Sequence, residues 1–178
     1  MISGQRRCLI LFLFASVLFA LSPAAQASNE LASELMNRIK AQQFNRAAAM
    51  FHYPSSQSPP ERDADRAAVA KWIQTLSEQL GGLQSFAARQ SSTTEKVLSL
   101  SIAGGDVSYW ASRGALQTVA HGFNASWKHE RDTRVTVHVM KDQQGWVVQS
   151  LHCGIVESRP DAQQFMTSLA RRLVPQVR

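Results

Sequence analysis

The segment TRVTVHVMKDQQGWVVQSLHCGIV, residues 133–156, decides the fold, because it reads as two long strands joined by a tight turn. The turn sequence Asp142-Gln143-Gln144-Gly145 is typical of a type I turn closed by a left-handed glycine. That turn predicts the pairs Val139–Gln149, Val137–Leu151, Val135–Cys153 and Thr133–Ile155. One face of the hairpin is then almost wholly apolar, and the opposite face carries Thr136, His138, Met140, Trp146, Val148, Ser150 and His152.

The chain before the hairpin also alternates with a period of two, which predicts more strands in the same antiparallel sheet. These strands are expected over residues 83–90, 95–103, 106–111 and 115–128, ahead of strands over 133–141 and 146–156. In the fourth of them a bulky face collects Val119, His121, Phe123, Ala125 and Trp127. The sheet is therefore expected to present one apolar face to a layer of helices.

Helical periodicity precedes the strands. A first helix is expected with Ser28 or Asn29 as its N-cap, followed by a second short helix or a bent continuation that ends near Phe51. The sequence Ser58-Pro59-Pro60-Glu61 is a capping box with proline at the first helical position, and it predicts a longer helix that stops at Gly81-Gly82.

A further capping signature at residues 158–161 predicts a C-terminal amphipathic helix. This helix is expected to pack on the sheet edge or on a partner subunit, or alternatively to cover the second face of the sheet. The expected fold class is α+β, with N-terminal helices packed on a curved antiparallel sheet and an added C-terminal amphipathic helix.

The first 27 residues are predicted to be a secretory signal peptide. Arg6 and Arg7 precede an apolar run over residues 8–21, which is shorter than the ~20 residues that a spanning helix needs. Ala25-Gln26-Ala27 is a small-x-small cleavage sequence, so a cut is expected after Ala27. This predicts a periplasmic or secreted protein of Gram-negative bacterial type without a membrane span, and a retained membrane anchor is the alternative interpretation.

Residues 28–178 are long enough for a single domain, with residues 158–178 as its C-terminal helix extension. Two of the 19 basic residues and no acidic residue belong to the signal, which leaves 17 basic against 13 acidic residues and a net charge of +4. This charge is mild and scattered, so nucleic acid is not an expected partner. Cys153 is then the only thiol, and we interpret it as a small buried hydrophobe.

The order of elements, helices first and long strands later, resembles the nuclear transport factor 2-like superfamily over most of residues 28–178. Two segments carry the resemblance, QFNRAAAMF at residues 43–51 and Gly145-Trp146-Val147-Val148. It implies a sheet that curves around the helices into a cone whose mouth often holds a ligand or an active site. It implies no particular chemistry, because that superfamily includes enzymes, binding proteins and secretion-system parts.

No catalytic motif stands out in the sequence, and neither a cofactor nor a metal is expected. The weak catalytic candidates are His121, Tyr53 and Asp106; the ligand-pocket candidates are Phe123, Trp127 and Trp72; the interface candidates are His138, Met140, Trp146 and His152. The chain is expected to be a non-catalytic binding domain for a protein, either a second copy or an envelope protein, or for a small apolar ligand. The alternatives are an isomerase or lyase with His121 as general base, and a structural component of an envelope or secretion assembly.

Overall fold

The computed structural model describes residues 23–89, 95–104, 118–142 and 145–173, and these form an α+β fold. Three helices come first, then five strands, then a last helix. Their bounds are α1 Pro23–Lys40, α2 Phe44–Ala48, α3 Pro59–Leu80, β1 Leu83–Arg89, β2 Val97–Ala103, β3 Thr118–Trp127, β4 Thr133–Lys141, β5 Trp146–Val156 and α4 Ala162–Leu173. The predicted fold class is confirmed.

The five described strands form one curved antiparallel sheet in the order β1-β3-β4-β5-β2. β1 and β2 are therefore the two edge strands, and the β4–β5 hairpin lies next to the centre. The bounds of β4 and β5 are those that the alternation predicted. The predicted strand over residues 106–111 lies outside the described residues.

The register of the hairpin agrees with the prediction over most of its length. Val137 pairs with Leu151 and Val135 with Cys153, but the expected pairing of Val139 with Gln149 is wrong. The register shifts between His138 and Val139, because His138 pairs with Ser150 and Val139 with Val148, which leaves Gln149 as an extra residue in a β-bulge. Beyond the bulge the faces of β5 exchange, so Val148 is fully buried in the core instead of lying on the opposite face.

The described helices bury their apolar sides on one face of the sheet. Their largest fully buried side chains are Leu35, Met36, Ile39, Ile73, Leu76, Leu80 and Leu173, which belong to one cluster with the apolar residues of the strands. α4 packs against α3 and against β2, so its predicted position at the sheet edge is confirmed. The alternative, in which α4 covers the second face, is wrong, since its buried side chains join the core cluster.

The start of α1 differs from the prediction. The helix begins at Pro23, so Ser28 lies inside it, fully buried, and its hydroxyl donates to the carbonyl of Ala25 at 3.0 Å. The alanines that precede Ser28 are strong helix formers, so the helix extends beyond the expected cap. α1 thus passes through the predicted cleavage sequence, and the cleavage itself stays a prediction.

The predicted start and stop of α3 are confirmed. The carboxylate of Glu61 accepts hydrogen bonds from the Ser58 backbone N–H at 2.8 Å and from its hydroxyl at 2.7 Å, and Gly81 ends the helix at φ 83°. Within the described ranges, no helix combines the length and the apolar character needed to cross a bilayer.

Candidate functional site

Among the described residues, side chains fill the space between the helices and the sheet around Cys153. A gap beside Cys153 leaves no volume for a water molecule and is lined by Met36, Ile39, Leu76, Trp127, Val135, Leu151 and Cys153. The three ligand-pocket candidates Phe123, Trp127 and Trp72 are 1%, 2% and 4% exposed and belong to the core. The Trp127 indole N–H donates to the Thr133 hydroxyl at 2.8 Å, so its polar atom is already paired inside the protein.

His121 lies on the core side of β3, where α1 packs against the sheet. Its Nε2 is 3.1 Å from the Ser28 hydroxyl oxygen. Since that hydroxyl donates to Ala25, its oxygen accepts from His121, which assigns the proton of the neutral ring to Nε2. Partial burial lowers the pKa of His121, because the charged ring is poorly solvated there. His121 is therefore a neutral, hydrogen-bonded residue of the helix–sheet contact.

Tyr53 is also engaged in structure. Its hydroxyl donates to the carbonyl of Ala48 at 2.9 Å, and the Arg66 guanidinium lies 5.7 Å from its ring centre. Burial raises the pKa of Tyr53 well above its ordinary value. His121 and Tyr53 thus bond to different groups, and Asp106, the third catalytic candidate, lies outside the described residues.

The opposite side of the sheet, here called the second face, is not covered by any of the described helices. It is formed by residues whose side chains point away from the helices: Ser85, Ala87, Arg89, Ser99, Ser101, Ala120, Gly122, Asn124, Arg134, Thr136, His138, Ser150 and His152. The peripheral ones, such as Ala87, Ser99, Ser101, Ala120 and Asn124, are exposed. Most of these side chains are therefore small and uncharged. An open hollow of about 300 Å³ lies at the β1 end of this face, lined by Ser85, Phe86, Ala87, Asn124, Ala125, Ser126 and Asp132.

His138 and His152 stand side by side near the middle of the second face. Their ring centres are 4.7 Å apart, and the Ser150 hydroxyl is 3.0 Å from Nε2 of His152. Partial burial lowers the pKa of both rings, and the charge of His138 lowers that of His152 further. Both rings therefore resist protonation.

The other two interface candidates lie elsewhere. Met140 is only 1% exposed, so its side chain offers little contact area. Trp146 is half-buried and packs against the core. Because the bulge at Gln149 lies between Trp146 and the rest of β5, Trp146 lies on the core side of the sheet, whereas regular alternation assigned it to the second face.

A cluster of three charged residues closes one end of the second face. Arg134 makes two parallel hydrogen bonds to the Glu95 carboxylate, both at 2.9 Å, and Arg89 adds a third at 2.6 Å. The bonds from Arg134 are the largest cause that lowers the pKa of Glu95. The cluster joins the segment before β2 to β1 and β4, and it leaves this end of the face with charges of both signs.

The pairings between distant residues that the sequence analysis missed include Glu95 with Arg134 and His52 with Asp142. Nδ1 of His52 lies 3.2 Å from the Asp142 carboxylate, because a bridge between Phe51 and Val148 holds the end of the helical segment against β5. These partners are 39 and 90 residues apart, and spacing rules do not reach that far. Among the residues that the structure describes, no three His, Cys, Asp or Glu side chains are grouped closely enough to hold a metal.

No protein-family model, curated protein or solved structure matches this chain.

Proposed function

We propose that this chain is an exported, non-catalytic protein-binding domain of nuclear transport factor 2-like type, whose partner contacts the second face of the sheet. One observation carries the proposal: the second face is exposed at its periphery and presents the half-buried His138–His152 pair near its centre. Helices that enclose the core on one side and leave a sheet face open on the other provide a broad, rigid contact surface.

A protein partner suits this surface better than a small molecule does. Small ligands bind in concave sites that enclose most of their surface, whereas the second face is broad and its peripheral side chains are short. The gap beside Cys153 is closed to water, so it offers no room for an apolar ligand. The function therefore rests on association.

The enzyme alternative has weaker support. A general base must accept a proton from a substrate within about 3 Å. Nε2 of His121 contacts the Ser28 hydroxyl and the Tyr53 hydroxyl bonds to Ala48, so the two side chains are held by different structural contacts and only Nδ1 of the His121 ring is left to act as a base. Its remaining candidate, Asp106, lies outside the described residues. No observation on the described residues favours the isomerase or lyase over the binding domain.

The His138–His152 pair is expected to contact the partner through hydrogen bonds and aromatic surface. Neutral imidazole rings donate and accept hydrogen bonds, and they add flat aromatic area at the centre of a polar surface. A partner that covers the rings removes them further from water, so binding favours their neutral forms. We therefore expect binding to weaken only as the pH falls through the lowered pKa values of these rings in the free protein, which lie below the ordinary histidine value of about 6.5.

The test compares three baits in an extract of the envelope fraction from the host. Besides the unaltered protein, Thr136→Arg places a bulky charge between Gly122 and His152 on the second face, and Ala64→Arg places the same charge on the exposed side of α3. We expect one protein to bind the unaltered bait and Ala64→Arg but not Thr136→Arg, and to show the same order by calorimetry once purified.

Equal binding of that protein by Thr136→Arg would contradict the proposed surface. Native mass spectrometry of the protein purified from its host tests the small-ligand alternative. A small molecule that stays bound at one copy per chain would contradict the protein-binding function and favour the small-ligand alternative.

A further inference from the structure

The first strand of the sheet has a free edge. β1 pairs with β3 on one side, and among the described residues no strand pairs with its other side. Gln84, Ser85, Ala87 and Ala88 are exposed, so none of the described elements covers this part of the edge. The opposite edge strand, β2, lies against α3 and α4.

The β1 edge lacks most of the features that prevent an edge strand from pairing with a strand of another chain. Proteins block free edges with lysine, proline, inward charges or bulges, because unpaired N–H and C=O groups otherwise recruit another strand. Residues 83–88 of β1, LQSFAA, include neither a charged residue nor a proline. A register shift lies between Leu83 and Ser85, and from Ser85 to Arg89 the pairing is regular.

The apolar side of the sheet reaches this edge without full cover. Phe86 packs edge-to-face on Phe123 with ring centres 5.6 Å apart, but it is only half-buried. Ala88, which pairs with Phe123, is exposed on the same side. A strand added beyond β1 would cover both side chains and extend the core by one layer.

We propose that β1 pairs antiparallel with β1 of a second copy of this chain, which joins two five-stranded sheets into one continuous sheet. A two-fold axis at Phe86 places the Phe86 rings of both copies side by side and sets Ser85 opposite Ala87 of the second copy. Two identical strands satisfy each other in this arrangement, since an antiparallel pair about a two-fold axis is self-complementary.

The charges favour a second copy as the occupant. Without the predicted signal the chain has 17 basic and 13 acidic residues and a formal net charge of +4, so two copies carry net charge of the same sign. The strip from Leu83 to Ala88 is uncharged, and the nearest charge, Arg89, is bound to Glu95 at 2.6 Å. β1 is thus a place where two copies can meet without opposing like charges. This pairing is independent of the partner proposed for the second face.

The test uses a pair of opposite charges at one position. Ala87 of one copy and Ala87 of the other lie diagonally across the two-fold axis, about 7–8 Å apart and within reach of long side chains. In sedimentation velocity over a concentration series we expect the unaltered protein to dimerise. Ala87→Lys and Ala87→Glu should each raise the dimer dissociation constant on the order of tenfold or more, because like charges face each other.

An equimolar mixture of the two variants should restore dimerisation, since the substituted side chains then attract. Ser101→Lys, an exposed site on the other edge strand, is the matched control and should leave the dissociation constant unchanged. Urea unfolding confirms that each variant is folded. Hydrogen exchange gives a second measurement: amides of residues 85–88 should become more protected as the concentration rises.

Two results would overturn the proposal. One is a monomer at every concentration, with exchange at residues 85–88 that does not change. The other is a dimer that both Ala87 variants leave intact, or that Ser101→Lys weakens as much as Ala87→Lys does. The first outcome would place the contact away from β1, and the second would place it on the second face, to which both residues belong.

Discussion

At the scale of single residues, three histidines share one physical property. His121, His138 and His152 are each partly buried, and burial lowers the pKa of each. His121 is fixed by Ser28 and the other two rings contact each other. Their neutral forms therefore belong to the folded state, while the unfolded chain exposes them to water and binds protons more readily.

This difference predicts a loss of stability in mild acid. A group whose pKa is lowered in the folded state contributes fully to the free energy of unfolding above the ordinary histidine pKa, about 6.5. Below that pH the contribution falls, because the unfolded chain takes up protons that the folded state does not bind. We expect the urea midpoint to fall between about pH 8 and about pH 5. Glu61, Glu95 and Asp161, whose pKa values are lowered, lose their contributions only at lower pH.

The double variant His138→Gln/His152→Gln should flatten part of this dependence. Ser101→Ala, which changes the residue paired with His152 but no titratable group, is the control and should keep the full slope. An unchanged slope in the double variant would show that the ring pair does not favour its neutral form.

The Ser28 hydroxyl is the second test at this scale. Ser28→Ala removes the oxygen that accepts from His121, and a buried donor without a partner costs about 1–3 kcal/mol. We expect urea unfolding to show a loss of this size, whereas exposed Ser99→Ala stays within about 0.5 kcal/mol. A loss no larger than that of Ser99→Ala would mean that His121 finds water or another acceptor.

At the scale of elements, the sheet depends on how closely β2 approaches β5. Gly154 pairs with Ser99 of β2 and Arg134 of β4. A Cβ atom there would overlap the backbone oxygen of Leu98, whereas a Cβ at Gly122 would meet its nearest neighbour, the backbone oxygen of Arg89, at 3.5 Å. The two glycines therefore differ in available space although both lie inside strands on the second face.

Gly154→Ala should separate β2 from β5, and we expect a loss of about 1–3 kcal/mol, the usual cost of overpacking. Gly122→Ala is the matched control and should be nearly neutral. Thermal unfolding of both variants measures the difference. Equal melting temperatures would show that β2 can shift without cost.

At the scale of the whole molecule, the filled interior makes Cys153 a reporter of global unfolding. Cys153 is 2% exposed, and burial raises the pKa of its thiol to about 12, with a smaller effect of Glu130. Cys8 is the other thiol of the full sequence, so a Cys8→Ser background leaves Cys153 as the thiol that is measured. The native chain should then resist a thiol reagent, because the thiolate is the reacting form and a raised pKa leaves little of it. It should react once unfolded in urea.

Ser99→Cys, added to the same background, places an exposed thiol on the neighbouring strand and should react at once in the native state. If native Cys153 reacted as fast as this control thiol, the interior would be open and a ligand cavity would have to be reconsidered.

Local patterns predicted most of the elements. The bounds of β4 and β5, the capping box of α3 and the apolar side of β3 follow from neighbours within a few residues, where alternation and capping act. The expectation of a Ser28 cap failed because local helix propensity extended α1 past it. The predicted pairs Val135–Cys153 and Val137–Leu151 are confirmed, and Val139–Gln149 fails at the bulge, since periodicity cannot show where a strand inserts an extra residue.

The site depended on contacts between distant parts of the chain. His121 bonds to Ser28, Glu95 to Arg134 and His52 to Asp142, and each of these contacts forms only when packing brings separate elements together. The order of strands that leaves β1 at an edge is also a property of the whole sheet. Periodicity in the sequence shows which face of a strand is apolar. The pairing of strands in the tertiary structure determines which residues each face and each edge of the sheet contacts.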